Sequence, residues 1–377
     1  MTRLRSYDAI VIGLGAMGSA TLYHLARNGV SVLGIEQFGP VHALGSSHGD
    51  SRIIRETYFE HPLYVPLVQR AHELWRELEE MNGAALLKTT GGLMVGPPDG
   101  MVVAGTLRSV REHGLPHEVL TPAQVTERFP AFQPRDDVIA VLDPRAGYLD
   151  PEACTRTHIA AAVSAGAEVR FEEPVIDWSA DADEVLVTTS GGTYLAGRLV
   201  LCAGSWTGSL ARVDGLALTI ERQSVFWFDP GPSPEYESER FPIYAYEFKP
   251  GTICYGFPRL PRGVKASVMH DGQTVSDPGK VDRRVKPAEI EALRAALRPI
   301  LPGVASAPVL DSSVCLFTNT RDHDFVIDFH PRHRNVLVSS PCSGHGFKFA
   351  SAIGELQAEL VLNGQTAFDL SPFAIGR

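Results

Sequence analysis

Residues Asp8-Ala9-Ile10-Val11-Ile12 form a short apolar run with little alternation, the pattern of a parallel strand buried on both faces. The run passes into Gly13-Leu14-Gly15-Ala16-Met17-Gly18. Beyond it Ala20, Leu22, Tyr23, Leu25 and Ala26 recur at helical spacing until Asn28-Gly29. A second apolar strand, 31–35, ends at Glu36. This order of strand, glycine turn, helix, strand and acidic residue predicts a βαβ unit that binds a dinucleotide. In such a unit Gly13 allows the tight turn, Gly15 lets the backbone approach a pyrophosphate, and Gly18 lets helix and strand lie close. The first-turn amides and the helix dipole then face phosphate charge. Glu36 is placed to accept hydrogen bonds from an adenosine ribose, which favours FAD or NAD over NADP and leaves those two open.

The later pattern alternates between helical and strand-like stretches. Residues 64–80 predict an amphipathic helix with Tyr64, Leu67, Val68, Ala71, Leu74, Trp75 and Leu78 on its core face. A strand at 91–95, a helix near 106–112 and a proline-rich connection at 121–134 follow. Asp150-Pro151 reads as an N-cap with proline at the first helical position, opening a helix to about 164 and a strand at 167–171. Residues 184–189 and 193–195, joined by Gly191-Gly192, predict a hairpin. The apolar stretch 198–206 then predicts a separate buried strand. Its late return suggests that the nucleotide domain is discontinuous, with a second domain inserted. Strands are expected at 224–228, 253–255 and 264–269, with 230–240 a surface loop between them. A helix at 286–297, short strands at 324–328 and 336–339, and a last helix at 347–363 closed by Gly364 complete the pattern. The predicted class is α/β. A Rossmann-like nucleotide domain covers 1–85, 150–215 and 320–377, and a mixed antiparallel sheet with helices covers 86–149 and 216–319.

Composition narrows the function. With 377 residues the chain has room for about two or three domains. Lysine and arginine total 34 against 44 acidic residues, a net charge of −10 with no basic tract, which argues against nucleic-acid binding. No apolar stretch reaches the ~20 residues of a membrane span. The first apolar run is too short for a signal peptide, and the terminal Ile375-Gly376-Arg377 is not a peroxisomal signal. The five cysteines, Cys154, Cys202, Cys254, Cys315 and Cys342, are odd in number and scattered. They fit a reducing compartment and neither a disulfide framework nor a CxxC metal site, so a cytoplasmic protein is expected.

Four clusters carry candidate chemistry. In Gly45-Ser46-Ser47-His48-Gly49-Asp50-Ser51-Arg52-Ile53-Ile54-Arg55, two arginines three apart suit a carboxylate, although surface ion pairs would use the same residues. Tyr255-Gly256-Phe257-Pro258 precedes Lys265, and a lone lysine is ordinarily solvated. Cys315, within Val314-Cys315-Leu316-Phe317-Thr318-Asn319-Thr320, is most simply a small buried hydrophobe. Ser343-Gly344-His345-Gly346 leads to Lys348 in the first turn of the last helix. A cation is electrostatically misplaced there and calls for an anionic neighbour, either reduced flavin or a substrate carboxylate.

Taken together, residues 7–36, 45–55, the strand ending in Ala203-Gly204-Ser205-Trp206, Tyr255-Gly256-Phe257-Pro258, 315–320 and 343–349 resemble the monomeric sarcosine oxidase and N-methyltryptophan oxidase family. These are flavin-dependent amine oxidases of the D-amino-acid-oxidase-like group, and the segments follow the family's order along nearly the whole chain. The resemblance implies an FAD-binding domain of glutathione-reductase type. It implies oxidation of the C–N bond of an N-methyl or cyclic amino acid to an imine, with O2 reduced to H2O2.

Residue roles follow from the same resemblance. Cys315 matches the cysteine joined through sulfur to the flavin 8α carbon, in a segment where Phe317 stands in place of the family's usual tyrosine. Ser46, His48, Ser51, Arg52, Gly344, Gly346 and Lys348 match positions around the flavin. Arg55 and Lys348 match the residues that hold the substrate carboxylate, Tyr255 an aromatic beside the amine, and Lys265 the lysine that promotes oxygen reduction. The family often has a histidine four residues after that lysine. Here Met269 stands there, with His270 one place on, and both are candidate substrate-side residues. A shift of one residue in a strand turns a side chain to the other face. With Phe317 this predicts a less polar pocket and an amine bulkier or more apolar than sarcosine. The rivals are an imino-acid oxidase or flavin amine dehydrogenase on the same scaffold, an NAD-dependent dehydrogenase, and a non-catalytic flavin-binding module. No metal, nucleic-acid or membrane partner is expected, and a monomer is implied by resemblance alone.

Overall fold

In the computed structural model, residues 5–377 are described; Met1–Leu4, at the start of the expected 1–85 segment, lie outside the described residues. The opening apolar run belongs to a strand, Arg5–Ile12, whose last four residues are buried. It pairs in parallel with Val32–Ile35 on one side and Thr193–Leu201 on the other. Glu168–Arg170 and His333–Ser340 extend this parallel core outward. The pair Val175–Ala180 and Val185–Thr189 adds antiparallel strands on the first half of Thr193–Leu201, and Val326–His330 pairs with His333–Ser340. Helices Ala16–Arg27, Val65–Asn82, Pro151–Ser164 and Ala350–Asn363 contribute to a single apolar cluster with this sheet. Where Ala16–Arg27 meets Ala350–Asn363, a Cβ on Gly354 would fall 2.5 Å from the backbone of Ala20, so only glycine permits that approach.

A second, nine-stranded sheet is mostly antiparallel. Its long strand Thr219–Phe228 pairs with Val309–Asn319 over its whole length, and then with Gly263–Val268. Thr252–Leu260, Ile243–Lys249, Gly92–Gly96, Ile139–Asp143 and Glu118–Leu120 follow in order, with one parallel step between Ile243–Lys249 and Gly92–Gly96. The core on one side of this sheet, where helix Pro287–Leu297 packs, is aliphatic with an aromatic group that includes Phe132, Phe241 and Tyr244. A small three-stranded sheet, Arg52–Ile54, Gly147–Leu149 and Leu87–Thr89, lies between the two larger ones in the chain's path and carries Arg52.

Several expectations change in detail. The proline-rich connection at 121–134 holds a helix, Pro122–Arg128, started by a Thr121/Gln124 capping box. The second arm of the glycine hairpin and the buried strand after it are one continuous strand, Thr193–Leu201. The helix expected near 106 begins at Met101, capped by Gly100. Strands Ile243–Lys249 and Val309–Asn319 had no clear period-2 signal: the first is buried on both faces at its start, and the second opens with Val309-Leu310-Asp311-Ser312-Ser313. The last α-helix starts at Ala350. Phe347–Phe349 form a 3-10 turn, so Lys348 precedes the helix and does not lie in its first turn.

Candidate active site

A single cavity runs from the C-terminal ends of the parallel strands to the face of the second sheet. At the first end, Gly13 has φ +88°, and a Cβ there would lie 2.6 Å from Cys202 O. A Cβ on Gly18 would lie 1.8 Å from Gly13 O, so packing alone requires glycine at both positions. Gly15 differs: its Cβ would meet only Ser47 Oγ, at 3.3 Å. Protein packing leaves room there, which fits a position kept small for a ligand. The helix that follows has no side-chain cap, and Ser47 Oγ accepts from Ala16 N at 3.0 Å. Glu36 is buried and lines the cavity. Its Oε2 accepts from Leu14 N at 2.9 Å and its Oε1 from Phe38 N at 3.0 Å, with His42 Nε2 3.4 Å from Oε1. The carboxylate thus fixes the glycine turn while keeping lone pairs for a further donor.

The opposite end is built from side chains. Pairing of Val309–Asn319 with Thr219–Phe228 sets Cys315 opposite Gln223. Burial alone would push the Cys315 thiol up, but His48, Arg52 and Lys265 reverse this and bring it down to about 6. Arg52 Nη2 lies 3.6 Å from Cys315 Sγ and donates to Ser46 O at 2.6 Å, while Nη1 donates to Ser51 O at 2.8 Å. Ser46 donates its hydroxyl to Leu316 O, tying this loop to the cysteine strand. Lys265 is 1% exposed. Its Nζ donates to Gly49 O at 2.5 Å, Ser51 O at 2.9 Å and Ser51 Oγ at 3.2 Å. Desolvation, then Arg52, lowers its pKa to about 7.

A second cationic group stands nearby in the same cavity. Arg55 lies over Tyr58 and Phe59, 4.3 and 4.0 Å from their ring centroids, and donates to Thr57 O at 3.1 Å and Glu60 Oε2 at 2.5 Å. Burial would raise the Glu60 carboxyl, yet Arg55, His345 and Lys348 hold it below its ordinary value. Lys348 Nζ donates to His345 O at 2.5 Å, and desolvation followed by Arg55 lowers it to about 7. Trp75 Nε1 donates to Lys348 O at 2.9 Å, and His345 Nδ1 lies 2.5 Å from Tyr58 OH, so the turn is held from two sides. A Cβ on Gly346 would lie 1.7 Å from Pro341 O, and one on Gly344 (φ +78°) 2.8 Å from the Phe317 ring.

The remaining wall is apolar. Phe59, Ala245, Ile253, Tyr255, Met269 and Phe317 line it. His270 is a correction to the sequence expectation, because it does not line the cavity. The strand ends at Val268, and His270 takes φ +55°, turning its Nδ1 to 3.0 Å from Glu221 Oε2. Its ring stands edge-on to Phe317 at 5.4 Å. Glu60, Phe59 and Gln223 also line the cavity and carried no signal in the sequence, since their placement depends on long-range packing alone. Gln223 Oε1, on the cavity wall, is buried without a protein partner, and with the open position at Gly15 it fits a bound dinucleotide. His48 is a second correction, because it is buried beside Cys315 but does not line the cavity.

A glycine turn opening on one cavity with a poised thiol and buried cations defines a dinucleotide-dependent oxidoreductase. Comparison with known proteins agrees. The model of the FAD dependent oxidoreductase family matches residues 8–360. The chain is 43% identical to the monomeric sarcosine oxidase of Streptomyces avermitilis, over 98% of this chain and 97% of that one. It is 36% identical to the N-methyl-L-tryptophan oxidase of Yersinia pestis, over 98% and 99%. Among solved structures it is similar to NikD, described as an unusual amino acid oxidase essential for nikkomycin biosynthesis, with TM-score 0.85 and 26% identity over 98% of each chain. The chain belongs to the FAD dependent oxidoreductase family. Among the described residues no helix is long and apolar enough to cross a membrane.

Proposed function

We propose that this enzyme oxidises a secondary amino acid, N-methyl or cyclic, at the C–N bond. O2 is the electron acceptor, and the products are an imine, which hydrolyses, and H2O2. The carrying observation is that buried Arg55 and Lys348 stand in one cavity with Lys265, Arg52 and Cys315. The glycine turn with Gly13, Gly15 and Gly18 would hold the pyrophosphate of FAD, and Glu36 the adenosine ribose. When bound, FAD supplies the redox chemistry. Arg55 and Lys348 orient the substrate by its carboxylate, displacing or sharing the charge that Glu60 now satisfies. Tyr255 and Met269 flank the amine. The Lys265 cation stabilises negative charge as oxygen is reduced, in a site where burial strengthens its field. The low thiol pKa of Cys315 supports attachment of the flavin 8α carbon to its sulfur. The FAD-binding domain is assigned to 1–85, 150–215 and 320–377 and the substrate domain to 86–149 and 216–319. We take the enzyme as a cytoplasmic monomer, the compartment supported by its five free cysteines.

The apolar wall of Ala245, Ile253, Met269 and Phe317 favours a substrate bulkier or more apolar than sarcosine. Peroxide formation with sarcosine, N-methyltryptophan, pipecolate and proline tests this. The highest kcat/KM should fall on a substrate other than sarcosine, and a maximum at sarcosine overturns that assignment. Acid precipitation should leave flavin in the pellet, and Cys315→Ala should release it to the supernatant.

A further inference from the structure

The loop that holds Lys265 is itself held by an acidic residue from another element. Gly49 takes φ +96° and Asp50 φ +65°, a turn that exposes successive amides. Glu152 Oε1 accepts from Gly49 N at 2.5 Å, and Glu152 Oε2 from Asp50 N at 3.2 Å. The carbonyl of that same Gly49 receives the Lys265 ammonium group at 2.5 Å. Glu152 therefore acts on Lys265 through a single residue. It sits in the first turn of helix Pro151–Ser164. Asp50 keeps one buried oxygen, Oδ2, without a partner, and its Oδ1 lies 3.6 Å from Arg262 Nη1.

The charged groups around Lys265 divide by sign. Arg52 opposes its protonation, while Cys315, Asp50 and Glu152 favour it. Arg262 draws on Asp50 but is itself shared with Asp311 at 2.6 Å and lies over Trp227. Trp227 and Phe257 close the remaining sides of the ammonium group at 5.5 and 4.8 Å. The contribution of Cys315 depends on a thiolate. A cysteine joined to flavin as a thioether carries no charge, so in the loaded enzyme that support is lost and two protein carboxylates remain.

We propose that Glu152 and Asp50 are positioning residues that keep Lys265 protonated for oxygen reduction, Glu152 by fixing the Gly49–Asp50 turn and both by placing negative charge around the ammonium group. This rests on the assignment of Lys265 to the oxygen step. It adds a layer behind the cation that neither substrate nor flavin needs to touch.

The test follows reoxidation of the reduced holoenzyme by O2 as a function of pH. In the wild type the rate constant should fall as pH rises and Lys265 loses its proton. Glu152→Gln retains a carbonyl acceptor for the Gly49 amide while removing the charge, and gives up the second acceptor that now serves Asp50 N. Asp50→Asn is compatible with the left-handed backbone at that position. Each should move the midpoint of the fall to lower pH by ~0.5 unit or more, and the double variant should move it further. Should Glu152→Gln not fold, Asp50→Asn carries the measurement alone. Midpoints equal to wild type overturn the proposal. Lys265→Met separates the two levels: it should slow reoxidation and abolish the pH-dependent fall. If it reoxidises at the wild-type rate, the assignment of Lys265 fails, and the proposal with it.

Discussion

At the glycine-turn end of the cavity the turn itself is built from backbone within residues 13–36, whereas the other end is built from the side chains of Arg52, Arg55, Lys265, Cys315 and Lys348, gathered from distant stretches of chain. The first end has a fixed shape, and its two buried acids are already engaged, Glu36 by the amides of the turn and Glu173 by the hydroxyls of Thr189 and Tyr194. The second end holds two lysines that burial brings to about 7 and, before flavin is attached, a thiol brought to about 6, so its charge depends on pH near neutrality. Steric change should therefore break the first end at any pH. The second end should respond in graded fashion to charge and to pH.

The largest effect is expected at Gly18. Alanine there puts a Cβ 1.8 Å from a backbone carbonyl that cannot yield without moving the turn. Overpacking of this kind costs roughly 1–3 kcal/mol, which would weaken cofactor binding by about 5- to 150-fold if it falls on the bound state. Gly18→Ala should be purified with little flavin, as read from the ratio of visible to ultraviolet absorbance. Gly15→Ala meets only Ser47 Oγ in the protein and sharpens the contrast. It should fold normally and lose flavin alone, because its Cβ would crowd the ligand and not the chain.

These two ends were also unequal in the sequence. The βαβ unit is local: its strand, turn, helix and acidic residue lie within about thirty residues, and each glycine answers to a neighbour close in the fold. Cys315 and its strand Val309–Asn319 gave no strand signal, because Asp311, Ser312 and Ser313 interrupt any apolar alternation and the pairing partner Thr219–Phe228 lies far back in the chain. Resemblance to a family pointed to Cys315, Lys265, Arg55 and Lys348, and the structure brings all four to one cavity. Glu60 and Glu152 were invisible by either route. Each is an ordinary acidic residue until long-range packing sets it against Arg55 or the Gly49 amides. The alternation rule separated Met269 from His270, and the left-handed turn at His270 completes that separation by swinging its ring behind Phe317.

An intermediate effect is expected from Lys348. Its lowered pKa means that the free site carries this cation below about pH 7 and loses it as pH rises further. Binding of a carboxylate competitor, followed by perturbation of the flavin spectrum, should weaken by about tenfold from pH 6 to pH 9, the worth of one partly screened charge pair. Arg55 offers the carboxylate a second contact in the same cavity, so some affinity persists at high pH. Lys348→Met should flatten the profile at the weaker limit. A wild-type profile that is already flat would show that the ligand holds Lys348 protonated throughout, or that Arg55 alone carries the carboxylate.

The smallest effect should come from the apolar wall. Met269 lines the cavity beside Tyr255 and Ile253, and its side chain is flexible enough to fit several substrate shapes. Met269→His puts back the residue type that the family often carries at this position and makes the wall more polar. The cations that orient the carboxylate are untouched, so kcat should change little on any one substrate. Relative kcat/KM should move toward sarcosine by roughly 3- to 10-fold, the scale on which an apolar pocket discriminates by single methylene groups. The shift should be confined to KM, because Met269 contacts substrate in ground and transition states alike. A change that appears in kcat instead would place Met269 against the reacting carbon and bring the apolar wall into the chemistry.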